Sequence, residues 1–361
     1  MTPRPATALS VLDRKLVVVT GKGGVGKSTI AAALGLSAAA RGLRTIVVEL
    51  GDQRRLPSLF ALSHEPDRTH EPDRTRQAEP GEEIELTENL FSVTIDQDRA
   101  MLEWLQTLGG RVPGRILAGS SSFQYFAAAA PGARELVSMV KVAELTSARR
   151  WRRRARRYDL VVLDAPATGH ALGLLRAPQT FGAIARVGPI FGQAEHVREL
   201  LQDDSATAYI AVALPTEMAT GETIDLRDGL RSKLGVELSC AVVNSVLPAR
   251  RFSASEMDRI GHLATNGAKA GDSDGAGRQI KATERARGAG GADAGNTEEA
   301  VRHAAVLAAK AAHTRARAQQ KQIARLRRQK VNVLTVPFVF APELGLEEVR
   351  RIGRHLSRGG S

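Results

Sequence analysis

The run Gly21-Lys22-Gly23-Gly24-Val25-Gly26-Lys27-Ser28 constrains the fold more than any other part of the chain. A Gly-x-x-x-x-Gly-Lys-Ser loop works where a strand delivers the backbone to it and a helix leaves it. Its N–H groups then curl around an anion at the helix N-terminus. The flanks fit that demand. Residues 15–20 form a short apolar, β-branched run, and residues 30–41 are rich in Ala and Leu and stop at Gly42. Six more such runs follow, at 45–50, 90–95, 159–164, 208–214, 238–244 and 331–336. Most are nearly continuous apolar stretches, as strands covered on both faces require. Strands alternating with helical segments predict an α/β fold, a doubly wound, mostly parallel sheet of about seven to eight strands.

Composition sets the limits. With 43% hydrophobic residues but only 4% aromatics, the core must be built from aliphatic side chains. The single cysteine, Cys240, excludes an internal disulfide framework and any thiolate cage supplied by this chain alone. No N-terminal apolar run resembles a secretion signal and no charge-free stretch approaches 18 residues. A soluble, cytoplasmic protein is therefore expected. The net charge of +12 is uneven: residues 149–157 hold seven arginines, and residues 310–330 hold eight Lys or Arg without an acid. The arginine run is expected to be a solvated helix face that leaves room for a peripheral membrane contact, and no specific nucleic-acid partner is expected.

A single domain over 1–361 is expected, with three departures from the α/β rhythm. Residues 64–75 repeat His-Glu-Pro-Asp-Arg-Thr in tandem, so 64–80 should be an exposed loop. Residues 97–157 carry helical apolar spacing without a strand, and are expected to be a helical insertion. Residues 265–297, rich in Gly, Ala, Asp and Ser, are expected to be a disordered loop, followed by one long basic helix over 298–330.

The phosphate loop predicts Mg-ATP binding. Backbone N–H groups of residues 23–28 should cradle phosphate oxygens, with Gly21, Gly23, Gly24, Val25 and Gly26 shaping the loop. Lys27 should reach the β- and γ-phosphates, Ser28 should ligate Mg²⁺ through its hydroxyl, and Thr29 is placed for the α-phosphate. At the end of a second apolar strand stands Asp164, suited to hold a water on Mg²⁺, before the turn Pro166-Ala167-Thr168-Gly169.

The form Lys22-Gly-Gly-Val-Gly-Lys27-Ser-Thr29 resembles the deviant Walker A loop of the MinD/ParA/ArsA class. There, the first lysine crosses a dimer interface to the partner's nucleotide. The stretch Asp164 to Pro178, with Thr168-Gly169-His170, is similar to switch II of the ArsA-type ATPases, a family that includes arsenite-pump and tail-anchored-protein-targeting ATPases. Pro131-Gly132-Ala133-Arg134-Glu135 and Pro215-Thr216-Glu217 through Glu222-Thr223 resemble further elements of that family. So do Val242-Val243-Asn244, whose Asn reads adenine in the family, and Val336-Pro337-Phe338, which packs near the base. Segments 123–141 and 186–192 look most like the actinobacterial branch, whose paralogues can pair.

The resemblance implies an ATP-hydrolysing homodimer or heterodimer with a paralogue, switching on nucleotide to handle a membrane-related client. It also exposes a departure. The switch I aspartate that orients the attacking water falls on Gly51, with Asp52 one residue later; either Asp52 or Glu49 takes its place, or hydrolysis is slow. An arsenite triad is excluded by the lone Cys240. The alternative is a MinD/ParA-like positioning ATPase on membrane or DNA.

Overall fold

A computed structural model describes residues 8–51, 55–61, 81–108, 132–152, 154–185, 188–248, 255–257, 259–260 and 294–357. The tandem repeat, Asp52, Pro131 and most of 265–297 lie outside these residues. The chain divides into two compact units: Met1–Val246 with Gln322–Ser361, and Leu247–Lys321.

Along the chain run α1 (Ala8–Val11), β1 (Leu16–Gly21), α2 (Lys27–Ala39), β2 (Thr45–Leu50), α3 (Arg55–Ala61), β3 (Ile84–Thr87) and β4 (Leu90–Ile95). Then come α4 (Gln97–Leu108), α5 (Ala133–Thr146), β5 (Leu160–Ala167), α6 (Thr168–Ala185), α7 (Pro189–Gln202), β6 (Thr207–Ala213) and α8 (Glu217–Leu234). The chain finishes with β7 (Cys240–Val246), α9 (Ala294–Arg328), β8 (Val333–Pro337) and α10 (Leu346–Ser357).

The first unit holds one eight-stranded sheet of order β3-β4-β2-β5-β1-β6-β7-β8. Seven strands are parallel, and only β3 pairs antiparallel, at the β4 edge. β3 was not among the expected strands: its four residues are too short and too acidic to read as a strand, and pairing with β4 decides them. β1 lies between β5 and β6, so the loop leaving it opens at the carboxyl ends of the strands, where doubly wound sheets bind ligands.

Side-chain alternation sorts the strands onto two cores. Val17 and Val19, Val47, and Leu160 and Val162 face α2, whose Ile30 to Leu34 are buried there together with Val349 and Ile352 of α10. Leu16, Val18, Ile46, Val48, Val161 and Leu163 face the other side, against α4 to α8 and the end of α9. Nearly all are aliphatic, and burying each side chain contributes about 1.5–3 kcal/mol.

The arginine run differs from expectation. Residues 147–152 and 154–159 are not helical, and the Arg150 side chain is only 4% exposed, whereas Arg149, Arg152, Arg154, Arg156 and Arg157 are exposed. The second unit contains the first part of α9, which has three basic residues in its last turn overall, and a bond from Leu247 N to Gln319 Oε1 of 2.8 Å.

Candidate functional site

The loop from Gly21 to Gly26 leaves β1 and enters α2 with glycines where the backbone demands them. Gly26 caps α2 at φ 92°, in the left-handed region, and a Cβ there would stand 2.5 Å from Asn244 Nδ2. At Gly21 a Cβ would meet Val212 O at 2.1 Å. Gly23 and Gly24 are exposed, Val25 is buried, and Lys27, Ser28 and Thr29 form the half-buried first turn of α2. The first turn of a helix presents N–H groups without intrahelical partners, and α2 has no side-chain cap to occupy them.

Opposite the loop, strand alternation brings two carboxylates to the α2 face. Asp164 follows Leu160 and Val162 on β5, and Glu49 follows Val47 on β2; the two are registered partners across neighbouring strands. Ser28 Oγ donates to Asp164 Oδ2 at 2.5 Å. Burial pushes the Asp164 carboxyl above its usual range, although Ser28, Lys27 and Arg55 favour its charge. Burial also raises Glu49, to about 7, against the backbone hydrogen bonds it receives from Arg55 and Leu56. Its Oε1 accepts from Arg55 N at 2.9 Å and Leu56 N at 3.3 Å, which caps α3.

Asp164 Oδ1 and Glu49 Oε2 are buried without a hydrogen-bond partner. Two buried carboxylates with open oxygens beside a serine hydroxyl fit a hard divalent cation such as Mg²⁺, which takes oxygen donors. Among the described residues there is no cluster of three His, Cys, Asp or Glu side chains suited to a metal. The fit is therefore to a cation that draws its remaining ligands from water and phosphate, as Mg²⁺ does.

The two lysines of the loop differ. Lys27 Nζ donates to Lys22 O at 3.2 Å, and burial lowers its pKa, against the pull of Asp164. Lys22 turns outward to α8, where it pairs with Glu222 Oε1 at 2.7 Å and also contacts Met218 Sδ. Glu222 stands in the sequence only as part of a resembling element; nothing local marks it as the partner of a lysine 200 residues away.

Asn244 reaches the same end of the sheet through an irregularity. The β7–β8 register shifts between Val243 and Val246, and Ser245 takes φ 59°. The Asn244 amide then donates to Val25 O at 3.0 Å and accepts from Ser245 N at 2.9 Å. One N–H and one lone pair of the amide are left over. Pro337 ends β8 opposite Val246, and Phe338 and Phe340 beyond it meet edge to face at 4.6 Å, exposed. Gly169 and His170 are exposed in the first turn of α6. Cys240 is fully buried in β7 and its thiol is pushed up to about 12, so it is inert toward soft metals. The structure thus brings Lys22, Lys27, Ser28, Asp164 and Asn244 around one loop, with Pro337 at the same end of the sheet. Asp52 falls outside the described residues.

The family model described as anion-transporting ATPase matches residues 14–188. ATPase BagA of Mycobacterium tuberculosis is 31% identical over 277 residues, covering 73% of this chain and 77% of that protein. A putative arsenical pump-driving ATPase of Halobacterium salinarum is 28% identical over 66% of this chain and 36% of its own length. ATPase GET3C of Arabidopsis thaliana is 26% identical, over 66% of this chain and 69% of its own length.

Proposed function

Because the chain belongs to the ArsA-type ATPase family, whose members bind and hydrolyse ATP, we propose that it is a nucleotide-driven dimeric switch that acts on a membrane-related client. The observation that carries the nucleotide site at its centre is the closure of Ser28 on Asp164 beside the half-buried Lys27, under a glycine loop at a helix N-terminus. Lys27 holds the β- and γ-phosphates, and loop N–H groups of residues 23–28 fix them for in-line attack. Ser28 and, through water, Asp164 would hold Mg²⁺, which when bound would supply positive charge next to the phosphate oxygens. Asn244 and Pro337 frame the base. Asp52 or Glu49 takes the place of the family's water-orienting aspartate.

Lys22 is the group that makes the assembly a dimer. Its pair with Glu222 is about one-third exposed on both sides, so it exchanges for a partner's phosphate at little expense. The partner is a second copy or a paralogue. Among the described residues, no helix is long and apolar enough to cross a membrane, so membrane involvement would come through the client or a peripheral contact. α10 does not offer an amphipathic membrane-binding face, because its Leu346, Val349, Ile352 and Leu356 are buried in the core.

A second reading, nucleotide binding with slow turnover, is favoured by Gly51. It has no side chain to offer where the family carries the water-orienting aspartate, and it sits at φ 87°. Steady-state ATPase assays separate the two. Lys27→Ala should lower kcat/KM by about 100-fold or more; unchanged turnover would reject the phosphate site. Asp52→Ala should abolish turnover while sparing nucleotide affinity, and unchanged turnover would remove its role. Trapping with a non-hydrolysable ATP analogue, followed by mass spectrometry of captured protein, identifies the client; recovery of lipid or DNA alone would support the positioning function.

A further inference from the structure

Glu49 ends β2 with its side chain on the α2 face, 3% exposed, and its two oxygens have different fates. Oε1 accepts the backbone N–H groups of Arg55 and Leu56 at 2.9 and 3.3 Å. It thereby sets the entry of α3, whose Leu56 and Phe60 are buried in the core. Oε2 is buried and receives nothing, and the same is true of Oδ1 on Asp164, its registered neighbour. A helix cap alone does not call for this arrangement. Serine, threonine or asparagine caps a helix without placing a second carboxylate beside a buried one. Adjacent buried carboxylates repel unless a proton or a cation relieves them, and both have an oxygen to spare for a cation.

We propose that Glu49 is a further ligand, through water, of the cation held by Ser28 and Asp164, and that it ties the position of α3 to cation binding. This rests on the phosphate-site function proposed above. It adds a residue to that site and gives it a mechanical consequence: one side chain touches the cation's water shell with one oxygen and the first turn of α3 with the other. When the cation is bound, Oε2 is held and the carboxylate is fixed in the orientation that caps α3. When it leaves, nothing but the cap holds the side chain, and the segment 55–61 loosens.

The test uses the full chain with Mn²⁺ as the probe, ADP as nucleotide, free Mn²⁺ read by electron paramagnetic resonance, and amide hydrogen exchange of residues 55–61. Glu49→Gln keeps the shape and an acceptor for the cap but removes the charge. It should weaken Mn²⁺ binding about tenfold, in the range found when outer ligands of a metal are removed. It should leave ADP affinity in EDTA within twofold of wild type. In wild type, Mn²⁺ added to the ADP complex should protect 55–61 from exchange, and in Glu49→Gln that added protection should be lost. Mn²⁺ affinity within twofold of wild type, or equal Mn²⁺-dependent protection in the variant, would overturn the proposal. So would a wild type whose 55–61 segment ignores Mn²⁺, a result that needs no variant to fold. Asp164→Asn leaves the α3 cap untouched and distinguishes the two failures. If Asp164→Asn loses Mn²⁺ and Glu49→Gln does not, Glu49 alone is wrongly assigned; if Asp164→Asn keeps it, the phosphate site itself is.

Discussion

Two groups of buried charge flank the sheet, and they are finished in opposite ways. On the side covered by α4 and α5, Arg150 bridges Glu83 at 2.6 Å and Glu144 at 2.7 Å, while Tyr158 donates to Glu83 at 2.7 Å. Lys141 joins Glu103 to Glu144 and lies 4.9 Å from the Trp151 ring centroid. Each charge there has a counter-charge within the chain, and even Glu144 Oε2, which accepts no hydrogen bond, lies 3.3 Å from the Lys141 ammonium. On the α2 side, Glu49 and Asp164 lie beside one another with an oxygen each left over, and Lys27 falls back on a loop carbonyl. A closed network serves the fold, because breaking a buried pair is expensive and nothing outside is required. An open one holds charge in readiness for something the chain does not contain.

The sharpest way to break this contrast is Arg150→Met, which keeps the aliphatic stem and removes the charge. It leaves Glu144 with Lys141 and the Trp151 N–H, and Glu83 with the Tyr158 hydroxyl. Loss of one partner of a buried pair costs about 3–5 kcal/mol. Urea unfolding should register that loss, while ADP affinity of the folded fraction stays within twofold. A loss below about 1 kcal/mol would mean the network is ornamental and the contrast empty.

The open side should show its character through pH. Burial raises Glu49 from 4.5 to about 7. The folded form therefore holds the proton more tightly than the unfolded chain. Its contribution to stability is fully present below about 4.5 and is lost as pH rises through 7. At about 1.4 kcal/mol per unit, the ionised side chain makes the nucleotide-free protein about 3 kcal/mol less stable at pH 8 than at pH 4.5. Glu49→Gln removes this term. Without nucleotide or metal, it should melt higher than wild type at pH 8 and near wild type at pH 5. A pH-independent difference in Tm would show that Glu49 is not a buried, strained charge.

What the sequence disclosed follows from the range of the interactions. The phosphate loop is eight consecutive residues, and the left-handed backbone of Gly24 and Gly26 is a local demand, so the motif is legible from the string alone. The aliphatic strands are legible for the same local reason. Glu49 reads as a strand end whose role is undecided between itself and Asp52, because its meaning comes from Asp164 across the sheet and from two N–H groups of α3. Arg150 sits in a run that charge alone assigns to solvent, and Glu83 and Glu144, 67 and 6 residues away, draw it inside with the Arg156 carbonyl and the Tyr158 ring. β3 becomes a strand only against β4. A middle case is Gly26, where local and distant causes meet: the left-handed turn is local, but the 2.5 Å approach of Asn244 is not. Gly26→Ala should destabilise by about 1–2 kcal/mol through its backbone alone. It should also displace the Asn244 amide and so weaken ADP binding, measured by calorimetry. An Ala variant of ordinary stability and affinity would show that the loop relaxes.

The smallest effect on stability belongs to Glu222, and the contrast between closed and open charge explains why. Its pair with Lys22 is about one-third exposed on each side, so water already screens it. Exposed pairs of this kind contribute about 0.2–1 kcal/mol. Glu222→Gln should therefore unfold within about 0.5 kcal/mol of wild type. Its consequence should appear in assembly instead. If Glu222 retains Lys22 on its own subunit until a partner's phosphates compete for it, removing the carboxylate makes Lys22 available sooner. Sedimentation in a non-hydrolysable ATP analogue should then show dimer at lower protein concentration for Glu222→Gln than for wild type, with no difference in ADP. Equal association under both nucleotides would make the pair a surface contact like any other, and Lys22 would need another explanation.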